Sequence, residues 1–177
     1  FVPIDEQVKM VKEVKKEGVP LAAAVGVREK KLDRATALVE AGVKVLFLDV
    51  AHGHMQTAID MTKRLKGAFG DSVDIISGNV ATYEGAKALF QAGADSVKVG
   101  VGPGSICTTR IETGSGVPQI TAVLEGARAA KEYQKTIICD GGTKNSGDIV
   151  KGLAAGASAI MSGSQFAGTK ETPGKLI

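Results

Sequence analysis

The sequence predicts an α/β fold built on a parallel sheet, and three observations carry that expectation. Short apolar runs of strand length alternate with amphipathic stretches of helical length from one end of the chain to the other. Several runs, such as Val45-Leu46-Phe47-Leu48 and Ile137-Ile138-Cys139, are almost continuously apolar, as suits strands buried on both faces. Three helical stretches end in one repeated phrase: Glu40-Ala41-Gly42-Val43, Gln91-Ala92-Gly93-Ala94 and Ala154-Ala155-Gly156-Ala157. Glycine there suits a left-handed helix stop, and the apolar residue after it enters the next strand.

The elements follow in order. A first helix over 5–16 takes Asp5 as its N-cap and sets Val8, Val11 and Val14 on one stripe. Strands are expected over 20–25, 43–49, 73–77, 96–99, 136–140 and 157–162, with helices between them over 30–41, 55–68, 82–92, 121–133 and 147–155. Each strand from the second onward ends in polar or glycine-rich sequence: Asp49-Val50-Ala51-His52-Gly53-His54, Gly78-Asn79, Gly100 to Gly104, Asp140-Gly141-Gly142 and Ser162-Gly163-Ser164. In a βα barrel the C-terminal strand ends carry the active site. The expected fold is therefore a (β/α)8 TIM barrel, incomplete in this chain, with about six βα units. At 177 residues the chain is shorter than the roughly 250 a closed barrel uses. A doubly wound open sheet, which binds ligands where its strand order reverses, is the alternative. No linker or low-complexity tract divides the chain, so residues 1–177 read as one domain.

Composition narrows the partners. The net charge of +3 comes from Lys and Arg dispersed among acids, without the basic run and interleaved aromatics that track a nucleic-acid backbone. No apolar stretch approaches the ~20 residues of a bilayer span, and Phe1-Val2-Pro3-Ile4-Asp5 is not a secretory leader. Neither nucleic acid nor membrane is expected as a partner, and the expected location is the cytoplasm.

The segment richest in chemistry is Val97-Lys98-Val99-Gly100-Val101-Gly102-Pro103-Gly104-Ser105-Ile106-Cys107-Thr108-Thr109-Arg110. Glycines at every second position permit backbone geometries that a Cβ forbids and free N–H and C=O groups to face a ligand or cation. Cys107 reads either as a small buried hydrophobe or as a nucleophile; its Ser, Thr and Gly neighbours beyond a strand end favour a stabilised thiolate. Cys139, within an apolar run, reads as core. Asp140-Gly141-Gly142 and Ser162-Gly163-Ser164 have the chemistry of phosphate capture, with Asp140 suited to ribose hydroxyls. Asp49 and Asn79 read either as nicotinamide or ribose contacts or as caps of the following helices. His52 and His54 lack the further ligands of a metal site. Lys98, inside its strand, reads as barrel-lining or salt-bridging.

Residues 97–110 resemble the signature of the IMP dehydrogenase / GMP reductase family. The resemblance continues through Gly116-Val117-Pro118-Gln119, Ile138-Cys139-Asp140-Gly141-Gly142, Ser146-Gly147-Asp148-Ile149-Val150-Lys151 and Gly163-Ser164-Gln165-Phe166-Ala167-Gly168. Upstream, Ala22-Ala23-Ala24-Val25-Gly26-Val27, Asp49-Val50-Ala51-His52-Gly53-His54 and Gly78-Asn79-Val80-Ala81-Thr82 also fit, so nearly the whole chain is covered. The resemblance implies a βα-barrel catalytic domain that assembles as a homotetramer. It implies that Cys107 attacks C2 of IMP, that hydride passes to NAD, and that the covalent thioimidate is hydrolysed to XMP, a step of guanine nucleotide biosynthesis. Thr109 would assist proton handling beside the base. Ser105, Gly141, Gly142, Gly163 and Ser164 would hold the 5′-phosphate side of the substrate, and Asp140 the ribose. Asp49, Asn79, Gly100 and Gly102 would face the cofactor, and the carbonyls of Gly102, Gly104 and Cys107 would ligate potassium.

The resemblance further implies a chain that begins near the second barrel helix and stops near Pro173-Gly174. On that reading it lacks about two βα units, the flap that activates water, and the CBS-domain pair that many dehydrogenases insert after the first helix. His52-Gly53-His54, residues 22–27 and Asn145-Ser146-Gly147-Asp148 look more like a dehydrogenase. Val50 and Thr113-Gly114 look more like a reductase, which deaminates GMP to IMP with NADPH. Dehydrogenase is the favoured expectation. The alternatives from other classes are a non-catalytic nucleotide-binding or oligomerising remnant, and a phosphate-binding aldolase or synthase, for which no catalytic Lys or acid pair stands out.

Overall fold

The computed structural model describes residues 2–28 and 32–172. Its strands are β1 (Ala22–Val25), β2 (Val45–Asp49), β3 (Asp74–Val80), β4 (Ser96–Val99), β5 (Thr136–Asp140) and β6 (Ala159–Met161). All neighbours pair in parallel in the order β1-β2-β3-β4-β5-β6. An unbroken sequential order has no reversal point, which excludes the doubly wound alternative. The sheet curls into a half-barrel: the side chain of Lys98, on β4, reaches Asp49 on β2 across the intervening strand. The expected α/β class and the six βα units of an incomplete barrel are both present.

The helices are α1 (Ile4–Lys15), α2 (Asp33–Ala41), α3 (Gln56–Phe69), α4 (Tyr83–Gln91), the short α5 (Thr109–Thr113), α6 (Gln119–Tyr133) and α7 (Ser146–Ala154). The repeated glycine phrase does what the sequence suggested. Gly42, Gly93 and Gly156 take φ of 114°, 99° and 108° as each helix ends and the chain turns toward the next strand. Thr82 caps α4 by accepting the N–H of Gly85 at 3.1 Å, and Asn145 caps α7 by accepting that of Asp148 at 3.0 Å.

Several expectations are corrected. Helix α1 begins at Ile4 with Pro3 at the cap, so Asp5 lies in the first turn, where it complements the helix dipole without capping. Val11 is buried and Val8 partly so, but Val14 is 48% exposed. A three-residue step falls about 60° short of a full turn, so a strict i, i+3 row drifts off the buried face. Helix α2 is defined from Asp33; Lys30 and Lys31, placed in it by the sequence reading, lie outside the described residues, as do Pro173 and Gly174. Strand β3 continues past Ser77 to Val80, because Gly78 packs against β4 where a Cβ would meet Lys98 Cβ at 2.6 Å. Helix α5 was not anticipated, being too short to show a period.

The apolar core lies between sheet and helices in two clusters. One joins α1, α2 and α3 to β1, β2 and β3 around Leu38, Leu46, Leu65 and Ile75. The other joins α4 and α6 to β4 and β5 around Leu89, Val97, Val123 and Ile137. Strand β4 is buried along its whole length. Leu89→Ala should therefore destabilise the protein by about 2–5 kcal/mol in urea unfolding. Met10→Ala, on α1 and 53% exposed, should stay within about 0.5 kcal/mol of wild type.

Candidate active site

Parallel strands deliver their C-terminal ends to one rim, and the side chains that end them meet there. The end of β2 supplies Asp49, β3 supplies Asn79, β5 supplies Asp140, and the loop leaving β4 supplies Gly100, Gly102, Gly104 and Cys107. With Thr109 and Gly141 these residues line a cavity of about 370 Å³. A second cavity of about 310 Å³ adjoins it and is lined by Ser105, Gly142, Gly163 and Ser164, sharing Gly104, Asp140 and Gly141 with the first. A third, of about 520 Å³, lies on the other side and includes His52, His54, Thr82 and Gly116; it shares Val101 and Thr109 with the central one. The three form a row with Cys107 in the middle. Every residue to which the resemblance gives a role lies along it.

The loop after β4 is set by one close approach. At Gly100 (φ 149°) a Cβ would lie 2.1 Å from the carbonyl oxygen of Asp140, which no side chain tolerates. Gln119 fastens the same point. Its amide nitrogen donates to the carbonyls of Val99 at 2.9 Å and Asp140 at 3.1 Å and to Cys139 Sγ at 3.3 Å, tying β4 to β5. Farther along, Gly102 and Gly116 pack on the Arg110 side chain, which donates to the Val117 carbonyl at 2.9 Å. The loop containing Cys107 is thus held at both ends.

The two cysteines are opposites. Cys107 is half-exposed, and its thiol donates to Thr109 Oγ1 at 3.3 Å. When the thiol ionises, the hydroxyl can turn to donate instead. That hydroxyl first, then the Thr109 N–H, the Arg110 charge and the Gly102 N–H hold the Cys107 pKa below the usual thiol value, against a smaller desolvation penalty. Cys139 is buried, and desolvation pushes its pKa up.

Beneath the cavity lies a charge cluster. The Lys98 side chain, 4% exposed, donates to Asp49 Oδ1 at 2.9 Å and Asp140 Oδ2 at 2.6 Å. Asn79 donates to that same Asp140 oxygen at 2.8 Å and to the Gly100 carbonyl at 2.9 Å, while its own Oδ1 is buried without a hydrogen-bond partner among the described residues. The alternative capping roles of Asp49 and Asn79 are excluded, because Met55 and Thr82 occupy the N-cap positions of α3 and α4. At the neighbouring cavity, the Thr143 and Ser162 hydroxyls lie 3.2 Å apart and Ser162 donates to Gln165 Oε1 at 3.1 Å, bracing the 162–165 turn.

His52 and His54 stand edge to face with ring centroids 6.4 Å apart, and the described residues contain no group of three or more His, Cys, Asp or Glu able to hold a metal ion. No described helix is long and apolar enough to cross a membrane. Sequence reasoning gave Gln119 no role and Lys98 only a general one. Gln119 stood within the Gly-Val-Pro-Gln phrase, so its signal was present but uninterpreted.

The IMP dehydrogenase / GMP reductase domain matches residues 1–177. An inosine-5′-monophosphate dehydrogenase of Aquifex aeolicus is 60% identical over 157 residues, which is 89% of this chain and 32% of that protein. One from Streptococcus pyogenes is 55% identical over 155 residues, 88% of this chain and 31% of that protein. A GMP reductase of Leishmania donovani is 52% identical over 158 residues, again 89% and 32%. The chain thus spans about a third of the length of the curated relatives it matches.

Because the Thr109 hydroxyl is the largest influence lowering the Cys107 pKa, the rate of iodoacetamide alkylation at Cys107 should rise with pH at a midpoint below that of an ordinary thiol. Thr109→Val should move that midpoint upward, and peptide mapping should show Cys139 unlabelled in the folded protein. Gly100→Ala should unfold at lower denaturant than wild type, since its Cβ and the Asp140 carbonyl cannot share the space.

Proposed function

Since this chain belongs to the IMP dehydrogenase / GMP reductase family, we propose that it carries the substrate-activating part of an oxidoreductase site that converts IMP to XMP with NAD. The observation that carries this reading is the position of Cys107. A thiol of lowered pKa lies between a glycine- and serine-lined cavity of phosphate-binding character and a larger cavity that suits a second ligand.

The phosphate of IMP is assigned to the turns containing Ser105, Gly142, Gly163 and Ser164, where backbone N–H groups and hydroxyls meet it without a cationic side chain. Asp140, shared by both cavities, receives the ribose, and the base then lies over Cys107. The Cys107 thiolate adds to C2, making C2 tetrahedral and placing an electron pair where the C2–H bond can be given up. NAD supplies the acceptor for that hydride. Water then adds to the C2 thioimidate, the C–S bond breaks, the thiol is restored, and XMP leaves. Thr109 steadies the thiolate before attack and as it departs.

The cofactor's carboxamide fits the cluster at Asp49 and Asn79, where the buried Asn79 Oδ1 is an acceptor in need of a donor. The carbonyls of Gly102, Gly104 and Cys107 belong to one short turn, closed by the Cys107 N–H donating to Gly104 O at 3.1 Å. Such hard oxygen donors suit potassium, and we assign them to it. We assign residues 1–177 to one partial barrel catalytic domain. Only residues 16–21 separate α1 from β1, which leaves no room for a CBS-domain pair at that point. Apolar side chains exposed on α6 and α7, among them Leu124, Val150 and Leu153, support assembly of the whole protein as a homotetramer. A cytoplasmic location accords with a substrate and cofactor of central metabolism. GMP reduction with NADPH is the second reading, favoured by the 52% identity to the Leishmania reductase.

Incubation with 6-chloro-IMP, whose C6 chloride a thiolate held against the base can displace, should add one dechlorinated nucleotide to the intact mass of the wild-type protein, with chloride released, and none to Cys107→Ala. A folded protein that forms no adduct would sink the proposal. NADH formation with IMP against NADPH consumption with GMP separates the two readings.

A further inference from the structure

Lys98 is the most buried charged residue among the described residues, and its two partners are far less buried than it is. Its side chain is 4% exposed, against 22% for Asp140 and 52% for Asp49. An ammonium enclosed to this degree fixes the carboxylates it binds, because it cannot exchange them for water. On Asp140 the contacts fall on one oxygen. Lys98 Nζ and Asn79 Nδ2 both donate to Oδ2, at 2.6 and 2.8 Å, while Oδ1 has no hydrogen-bond partner among the described residues. The carboxylate is therefore locked about its terminal torsion, with one oxygen saturated and the other left free beside the two cavities that Asp140 lines.

We propose that Lys98 is a positioning residue for sugar recognition: by saturating Asp140 Oδ2 it commits Oδ1 to accept a ribose hydroxyl, making the site selective for a ribonucleotide over one lacking that hydroxyl. The inference rests on the nucleotide reading above and names the group that gives Asp140 its directionality. The same ammonium holds Asp49 Oδ1 at 2.9 Å, so the sugar contact and the cofactor side of the cavity share one anchor. A neutral side chain at position 98 would leave Asn79 as the only anchor of Asp140 Oδ2 and loosen the carboxylate's orientation. Asp140 would then keep its charge and lose its aim.

The test is calorimetric binding of IMP and of its 2′,3′-dideoxy analogue to wild type, Lys98→Met, Lys98→Gln and Lys98→Arg. Thermal unfolding and the Cys107 alkylation rate are followed in parallel. Wild type should prefer IMP by roughly tenfold or more, the worth of a hydrogen bond to a charged group. In the Met and Gln variants the preference should shrink to within about threefold, chiefly through weaker IMP binding, and Arg should restore most of it. Equal weakening of both nucleotides would assign Lys98 a merely structural role and overturn the inference, as would an undiminished preference in either folded neutral variant. Wild type that binds both nucleotides equally overturns the ribose contact itself. Wild type that binds neither, and forms no 6-chloro-IMP adduct, overturns the nucleotide reading beneath it.

Discussion

Between the end of β4 and the end of β5 the backbones approach so closely that a side chain has no place. The chain leaves β4 over the carbonyl of Asp140 at a position only glycine can occupy, and the Gln119 amide binds the two strand ends together just there. Everything chemical on this rim depends on that contact. It sends residues 101–107 across the mouth of the curled sheet instead of away from it, so that the loop from one strand carries Cys107 between groups supplied by three others.

A parallel sheet also explains where the charges lie. Strand β4 is covered on both faces, and Lys98 is a costly residue to place in it, since an unpaired buried ammonium costs on the order of several kcal/mol. Curling supplies the remedy by turning the strand ends inward, which brings carboxylates from β2 and β5 onto one ammonium. Two acids on one base leave the cluster with an excess negative charge, while the turns of the neighbouring phosphate-type cavity present glycine N–H groups and hydroxyls. The rim thus separates acceptor character near Asp140 from donor character a few residues away. A ligand with hydroxyls at one end and an anionic group at the other matches that division.

What the sequence made legible followed local rules. Strands over 96–99 and 136–140 were read to the residue because both are apolar runs bounded by polar or glycine neighbours. The helix-ending glycines were read from a phrase that occurs three times. Local rules also misled: Gly78 looked like a strand terminator and is instead a point of close packing inside β3, and Asp5 looked like a cap but follows a proline that fills that position. The site residues could be nominated from strand ends, yet their connections could not. Lys98 meets residues 49 and 42 positions away, and Asn79 meets Asp140 across 61. Such pairings are set by how far the sheet curls, a tertiary property with no signature in a single chain. Gln119 shows the same limit, since its partners lie on two strands that become adjacent only in the folded sheet.

The contrast between the two cysteines follows from the same geometry. Cys139 sits one residue before the end of β5, inside the sheet, and burial withholds ionisation from it; Cys107 sits seven residues beyond Gly100, where the loop has left the sheet and hydroxyl and N–H donors surround the sulfur. A nucleophile embedded in a strand would be held firmly but kept neutral, and one on an untethered loop would ionise without a fixed position. The loop after β4 avoids both outcomes: its first residue is fixed by the Gly100 contact and its far side by Arg110, donating to Val117 and packed by Gly102 and Gly116. The intervening turn keeps enough exposure for the thiolate to form and for a ligand to reach it. The glycines at every second position are therefore more than a flexible tract. The first sets the loop's direction, the next makes room for the arginine that closes it, and the third supplies the carbonyl to which the Cys107 N–H donates.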